Sequence, residues 1–159
     1  MKILGIDPGT ATTGFGLISK TGAKLTLLDC GIVSTPKTLD MPERLNILFE
    51  DLSEIIVRHK PDIIVVEKLF FISNITTAMA VSQARGVILL AAARHNIKTA
   101  EYTPLQVKMS ATGYGKATKK QVQEMVKKIL KLSAIPKPDD AADALAIAIC
   151  HSANSRYSQ

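Results

Sequence analysis

Apolar residues along this chain switch from strand-like to helix-like spacing and back, and the switches mark its elements. Lys2–Asp7, Gly14–Lys20 and Leu25–Ser34 are short apolar-rich runs separated by the turn signals Pro8-Gly9 and Thr21-Gly22, which predicts three strands. Connections this short join antiparallel neighbours, so a three-stranded meander is expected. From about Met41 to His59 the period becomes helical, with Leu45, Leu48, Phe49, Leu52, Ile55 and Ile56 on one stripe. Asp40 is placed to cap this helix, and Glu43 three residues later to complete a capping box. Pro61 ends the helix, and Ile63-Ile64-Val65-Val66 is a continuous apolar run of the kind buried on both faces of a parallel sheet.

The second half alternates helices with one more strand. A helix is expected from about Asn74 to His95, rich in small residues and with Gly86 in its interior. An interior glycine costs about 1 kcal/mol against alanine, so close packing against the sheet or another subunit is the expected compensation. Ile97–Tyr102 reads as a fifth strand; Pro104–Ala111, Thr118–Leu132 and Asp140–Ala153 read as helices, the first two joined by a glycine loop over 112–116. The order predicts an α/β domain, a mixed five-stranded sheet flanked by helices on both faces.

Composition narrows the class. The 159 residues, 47% of them hydrophobic, suffice for a single domain over 1–159 that buries about 70% of its unfolded surface, with 152–159 read as a mobile tail. The longest apolar stretch, Gly86–Ala93, is too short to span a bilayer, and MKILGIDPG reaches a turn too early for a signal peptide. Cys30 and Cys150 lie far apart without metal-ligand spacing, and both are expected to be buried thiols of a reducing compartment. A cytoplasmic protein with no membrane association is expected.

Charge points to an anionic partner. The net charge is +6, and Lys108 to Lys137 contains eight lysines against one acid, Glu124. A solvated helix face accounts for a lone lysine; eight against one favour a surface that faces phosphate. Within this stretch Lys116 and Lys120 are candidate DNA contacts, and Tyr114 in the glycine loop is a candidate to stack on a base, its plainer reading being a mobile loop tip.

Against that basic background, four acids stand out. Asp7 and Glu67 each close a strand-like run, where open α/β sheets place ligands. Asp140 and Asp143, spaced i and i+3, share a face at the start of the last helix. Each has a plainer explanation: Asp-Pro-Gly is a turn, a strand end is solvated, and acids in a first helical turn complement the dipole. Together they suggest a metal-holding pocket, because crowded carboxylates repel unless a cation sits between them. Phe70 and Phe71 follow Glu67 closely; successive side chains diverge, so one of the two is expected to be exposed and able to stack on a base. Gly9–Gly14 lacks the Gly-Lys-Ser/Thr ending of a phosphate loop, and no histidine shows zinc-ligand spacing.

The blocks ILGIDPG, PDIIVVEKLFF, SQARGVILLAA and DDAADALAIAICH, with the gaps between them, resemble RuvC-type Holliday junction resolvases from Lys2 to about His151. The resemblance implies a ribonuclease-H-like fold and four catalytic, metal-holding carboxylates, which match Asp7, Glu67, Asp140 and Asp143. It implies two Mg²⁺ per site, with Mn²⁺ as a substitute, and lysines acting at the substrate phosphate, matched by Lys108 and Lys119. Phe70 matches the stacking aromatic of the family, and Phe71 beside it departs from the pattern. Implied partners are four-way junction DNA, a second copy of the chain in a homodimer, and the RuvA and RuvB branch-migration proteins.

Three other readings stay open on the residues alone. Gly5–Thr10 also resembles the first phosphate loop of actin and sugar-kinase ATPases, although those need two lobes. A junction-binding module without cleavage needs a broken acidic set. A related nuclease that trims RNA would prefer structured RNA to junctions.

Overall fold

Alternation along the first strand decides the layering of the molecule. The computed structural model describes residues 1–69 and 75–155, with the side chains of 75 and 76 excepted. In β1 (Lys2–Asp7) Leu4 and Ile6 enter one core while Ile3 enters the other, so Gly5 and Asp7 share the face of Ile3. β2 (Thr12–Thr21) and β3 (Lys24–Ser34) complete the expected antiparallel meander. β2 begins at Thr12, two residues before the expected start, because Thr12 and Thr13 pair with Ser34 and Val33. After α1 (Met41–His59), β4 (Ile63–Glu67) lies parallel to β1, and after α2 (Ile75–Arg94), β5 (Lys98–Tyr102) lies parallel to β4. The sheet order is β3-β2-β1-β4-β5, mixed and five-stranded as the sequence predicts.

α1 and α2 cover the Leu4/Ile6 face, where Leu48, Leu52, Ile56, Ala84 and Ile88 meet Leu17, Ile64 and Val66. The box between Asp40 and Glu43 forms at the start of α1. The opposite face carries α3 (Pro104–Thr112), α4 (Lys119–Ile129) and α5 (Asp139–Asn154). Each fully buried Leu or Ile of these two cores contributes about 1.5–3 kcal/mol.

Several expectations are corrected. α4 ends three residues before Leu132, because Lys131 turns left-handed with φ 54°. α5 continues through Asn154, so 152–154, assigned to the tail, form its last turn, and Ser152 is buried. Cys30 is half-buried while Cys150 is buried, both as free thiols. Gly86 is exposed and a Cβ there would meet open space, so among the described residues of one chain it does not pack closely against the sheet. Among the described residues no helix is long and apolar enough to cross a membrane.

Candidate active site

β1 is where the sheet changes from antiparallel to parallel pairing, and α/β sheets bind ligands at the C-terminal ends of strands where the topology switches. Asp7 is the last residue of β1 and Glu67 the last of β4; each stands one position beyond the paired Ile6 and Val66. The two acids predicted at strand ends are therefore neighbours at the switch.

α5 brings the other two. From Ala141 to Ser152 every residue of this helix is buried except Asp143. A helix apolar all round must be buried all round, and its alanines let it lie directly on the sheet. The sheet gives way to it at glycines: a Cβ at Gly5 would overlap the Ala144 carbonyl, and one at Gly14 the Asp140 carbonyl. Backbone against backbone at these points sets Asp140 and Asp143 over the end of β1. Carboxylate oxygens of Asp7, Asp140 and Asp143 all lie within 4.8 Å of one another.

Glu67 is outside that tight set but lines the same cavity of about 310 Å³, with Asp7, Asp143, Lys108 and Lys119. Lys108 comes from α3, whose start is boxed by Thr103 and Gln106. Lys119 opens α4, boxed by Thr118 and Gln121, and its Nζ lies 2.8 Å from Asp143 Oδ2. Asp140 does not line the cavity; its Oδ2 accepts a hydrogen bond of 2.6 Å from the Thr12 hydroxyl. Thr12 is the contact the sequence reading misses. Gly9–Gly14 is weighed there only as a failed phosphate loop, whereas Thr12 belongs to a strand and meets a residue 128 positions away.

Electrostatics mark the cluster as a site for positive charge. Burial, and then the charges of Glu67, Asp143 and Asp140, push the Asp7 carboxyl up to about 7, with Lys119 opposing. Burial and Asp143 raise Glu67, opposed by Lys108. Burial likewise raises Asp143 against the pull of Lys119. Three carboxylates with oxygens within 4.8 Å of one another, one of them pushed up to about 7 by burial and its neighbours' charge, form a hard oxygen set that fits Mg²⁺, Mn²⁺ or Ca²⁺ rather than a soft metal.

The remaining candidates fall in two groups. Tyr114 and Lys120 line a second depression of about 470 Å³ with Thr112 and Lys128, and Lys116 is exposed in the same loop. Tyr114 is 56% exposed, yet its loop is tied down: its backbone N–H donates to the Thr112 hydroxyl and its carbonyl accepts from the Ala117 N–H. Phe70 and Phe71 lie outside the described residues.

Comparison with known proteins identifies a family. The chain matches the family described as Crossover junction endodeoxyribonuclease RuvC over residues 3–151. It is 50% identical to the protein of that name from Alkaliphilus oremlandii over 159 residues, covering 100% of this chain and 97% of the relative. The Rubrobacter xylanophilus protein of the same name is 54% identical over 156 residues, 98% of this chain and 87% of the relative. Among solved structures, T. thermophilus RuvC in complex with a Holliday junction substrate superposes with a TM-score of 0.94 at 35% identity, covering 99% of this chain and 96% of that one. The yeast mitochondrial Holliday junction resolvase Ydc2 shares the fold, with a TM-score of 0.69 at 16% identity over 98% of this chain and 80% of that one.

Proposed function

The chain belongs to the crossover junction endodeoxyribonuclease RuvC family, and from that premise we propose that it resolves four-way DNA junctions by cutting two strands of like polarity symmetrically. The fold is ribonuclease-H-like, and the protein is a nuclease of the Holliday junction resolvase class. The observation that carries the catalytic reading is the convergence of Asp7, Asp140 and Asp143 within 4.8 Å, beside a cavity that also presents Glu67, Lys108 and Lys119.

Asp7, Asp140 and Asp143, with Glu67 beside Asp7 at the neighbouring strand end, would hold two Mg²⁺ ions, with Mn²⁺ able to replace them. Such ions, when bound, supply a water nucleophile at neutral pH and stabilise the departing 3′ oxygen. The chain's own residues do the rest. Lys119 and Lys108 bind the non-bridging oxygens of the scissile phosphate and offset the charge that grows as water attacks in line. The P–O3′ bond breaks, leaving 5′-phosphate and 3′-hydroxyl ends. Lys116 and Lys120, beside the second depression, hold flanking backbone through phosphate contacts that position the DNA without reading its sequence, and the exposed Tyr114 stacks on a base.

Paired cuts require paired sites, and a two-fold dimer supplies them. α2, with Met79 and Leu90 exposed at 63% and 54% and Gly86 open to solvent, is the proposed subunit face. A cytoplasmic location and cooperation with RuvA and RuvB belong to the same proposal. Family membership sets aside the ATPase and RNA-trimming alternatives, and an acid set gathered at one cavity argues against a binding-only module. Cleavage of a synthetic four-way junction beside linear duplex tests the proposal.

A further inference from the structure

Gly14 and Thr12 stand two residues apart on β2 and so face the same side of the sheet. Both meet Asp140: Gly14 by backbone contact, Thr12 by its hydroxyl. The first contact fixes how near the start of α5 comes to the sheet. The second fixes how the carboxylate is turned, by engaging Oδ2 and leaving Oδ1 outside that bond. We infer that Thr12 is a positioning residue for metal binding, acting through Asp140; the inference rests on the reading of Asp140 as a metal ligand.

The hydroxyl is delivered by a segment braced from behind. Thr13 Oγ1 donates to the Gly9 carbonyl at 2.7 Å, and Thr35 Oγ1 donates to the Thr10 carbonyl. The Arg44 guanidinium bonds both the Thr10 carbonyl, at 2.7 Å, and Thr35 Oγ1, at 2.9 Å. Thr12 itself is paired with Ser34, and the Thr35 N–H donates to the Ala11 carbonyl. The loop between β1 and β2 is thus held by β2, by the residue after β3 and by α1 together. A β-branched side chain on such a backbone has little freedom at χ1, so the hydroxyl meets Asp140 already oriented. Hydrogen-bond partners of metal ligands restrict the ligand in this way, and losing one typically costs 10–100-fold in metal affinity.

The test is Mn²⁺ binding by calorimetry, with Mn²⁺ alone, on the full chain carrying Thr12→Val, Thr12→Ala, Thr12→Ser or Asp140→Asn. The Val and Ala variants are expected to bind Mn²⁺ about 10–100-fold more weakly. The Mg²⁺ concentration for half-maximal junction cleavage should rise by a similar factor, while the rate at saturating Mg²⁺ stays near that of the parent. Thr12→Ser, which keeps the hydroxyl, should bind within a few-fold of the parent. Two hydroxyl deletions guard against one failing to fold, and melting curves identify such a failure. Parent-like Mn²⁺ affinity in Thr12→Val and Thr12→Ala, with Asp140→Asn impaired, would overturn the role of Thr12 alone. Parent-like affinity in Asp140→Asn would overturn the metal reading and this inference with it.

Discussion

Lys119 Nζ lies 2.8 Å from Asp143 Oδ2, so the first residue of α4 is tied to the one unburied position in the buried run of α5. The lysine side chain is 52% exposed, close enough to the acids to feel them and open enough to reach a phosphate. Lys119→Ala is therefore expected to slow single-turnover junction cleavage by about 10²-fold, the scale for losing one stabiliser of transition-state charge. Junction affinity should fall only about threefold or less, since one phosphate contact among many is lost. Equal losses in rate and affinity would make Lys119 a backbone contact only.

Asp7 links stability to the site. Its pKa is 3.8 when free and about 7 in the folded chain. Between those values the folded chain keeps a proton that the unfolded chain has released. The stability this proton confers is fully present below 3.8 and is lost as pH rises through about 7. Asp7→Asn removes the buried charge and should raise metal-free stability at pH 8 on the order of 2–4 kcal/mol, while abolishing cleavage and preserving junction binding. Melting in EDTA at pH 5 and pH 8 checks the first part; an unchanged or lower melting temperature at pH 8 contradicts it.

The same carboxyl makes metal binding compete with protons. Mn²⁺ affinity should rise by about tenfold per pH unit below about 7 and flatten above it, because a ligand must lose its proton to bind. Calorimetry in buffers of different ionisation heat would show about one proton released at pH 6 and few at pH 8. Affinity constant from pH 6 to 8 would remove Asp7 from the ligand set.

Two glycines should respond in opposite directions. Gly14→Ala drives a Cβ into the Asp140 carbonyl and is expected to destabilise by about 1–3 kcal/mol as an overpacking change. It should also weaken metal binding by moving Asp140. Gly86→Ala meets open space among the described residues of one chain, so at protein concentrations too low for dimers it should stabilise the lone subunit by about 1 kcal/mol through helix propensity. A less stable Gly86→Ala protein would place a second surface, such as a partner subunit, against α2. Denaturant titration of both variants decides.

The elements were legible because each carries its own local signal: the box at Asp40 and Glu43, the apolar run ending at Glu67, the helical stripe of α1. The i, i+3 spacing of Asp140 and Asp143 told only that they share a face. What brings them to Asp7 is the backbone contact of α5 with Gly5 and Gly14, a long-range packing fact with no local signature. The family resemblance supplied that link in advance. Thr12 stayed hidden for the same reason, since a threonine near a turn suggests nothing about a carboxylate 128 residues away. Gly86 left its contact open, because an interior glycine in a helix signals close approach yet cannot say whether the sheet or another subunit makes it; a lone chain shows only that the sheet does not.

The most direct measurement is cleavage of a mobile synthetic four-way junction in Mg²⁺, run beside linear duplex, an EDTA control and the Asp7→Asn variant. A resolvase gives paired symmetric nicks in the junction alone, lost in EDTA and in Asp7→Asn, with junction binding retained by the variant. Equal cutting of linear duplex, nicks that persist in EDTA, or tight junction binding by the parent without any nick would contradict it.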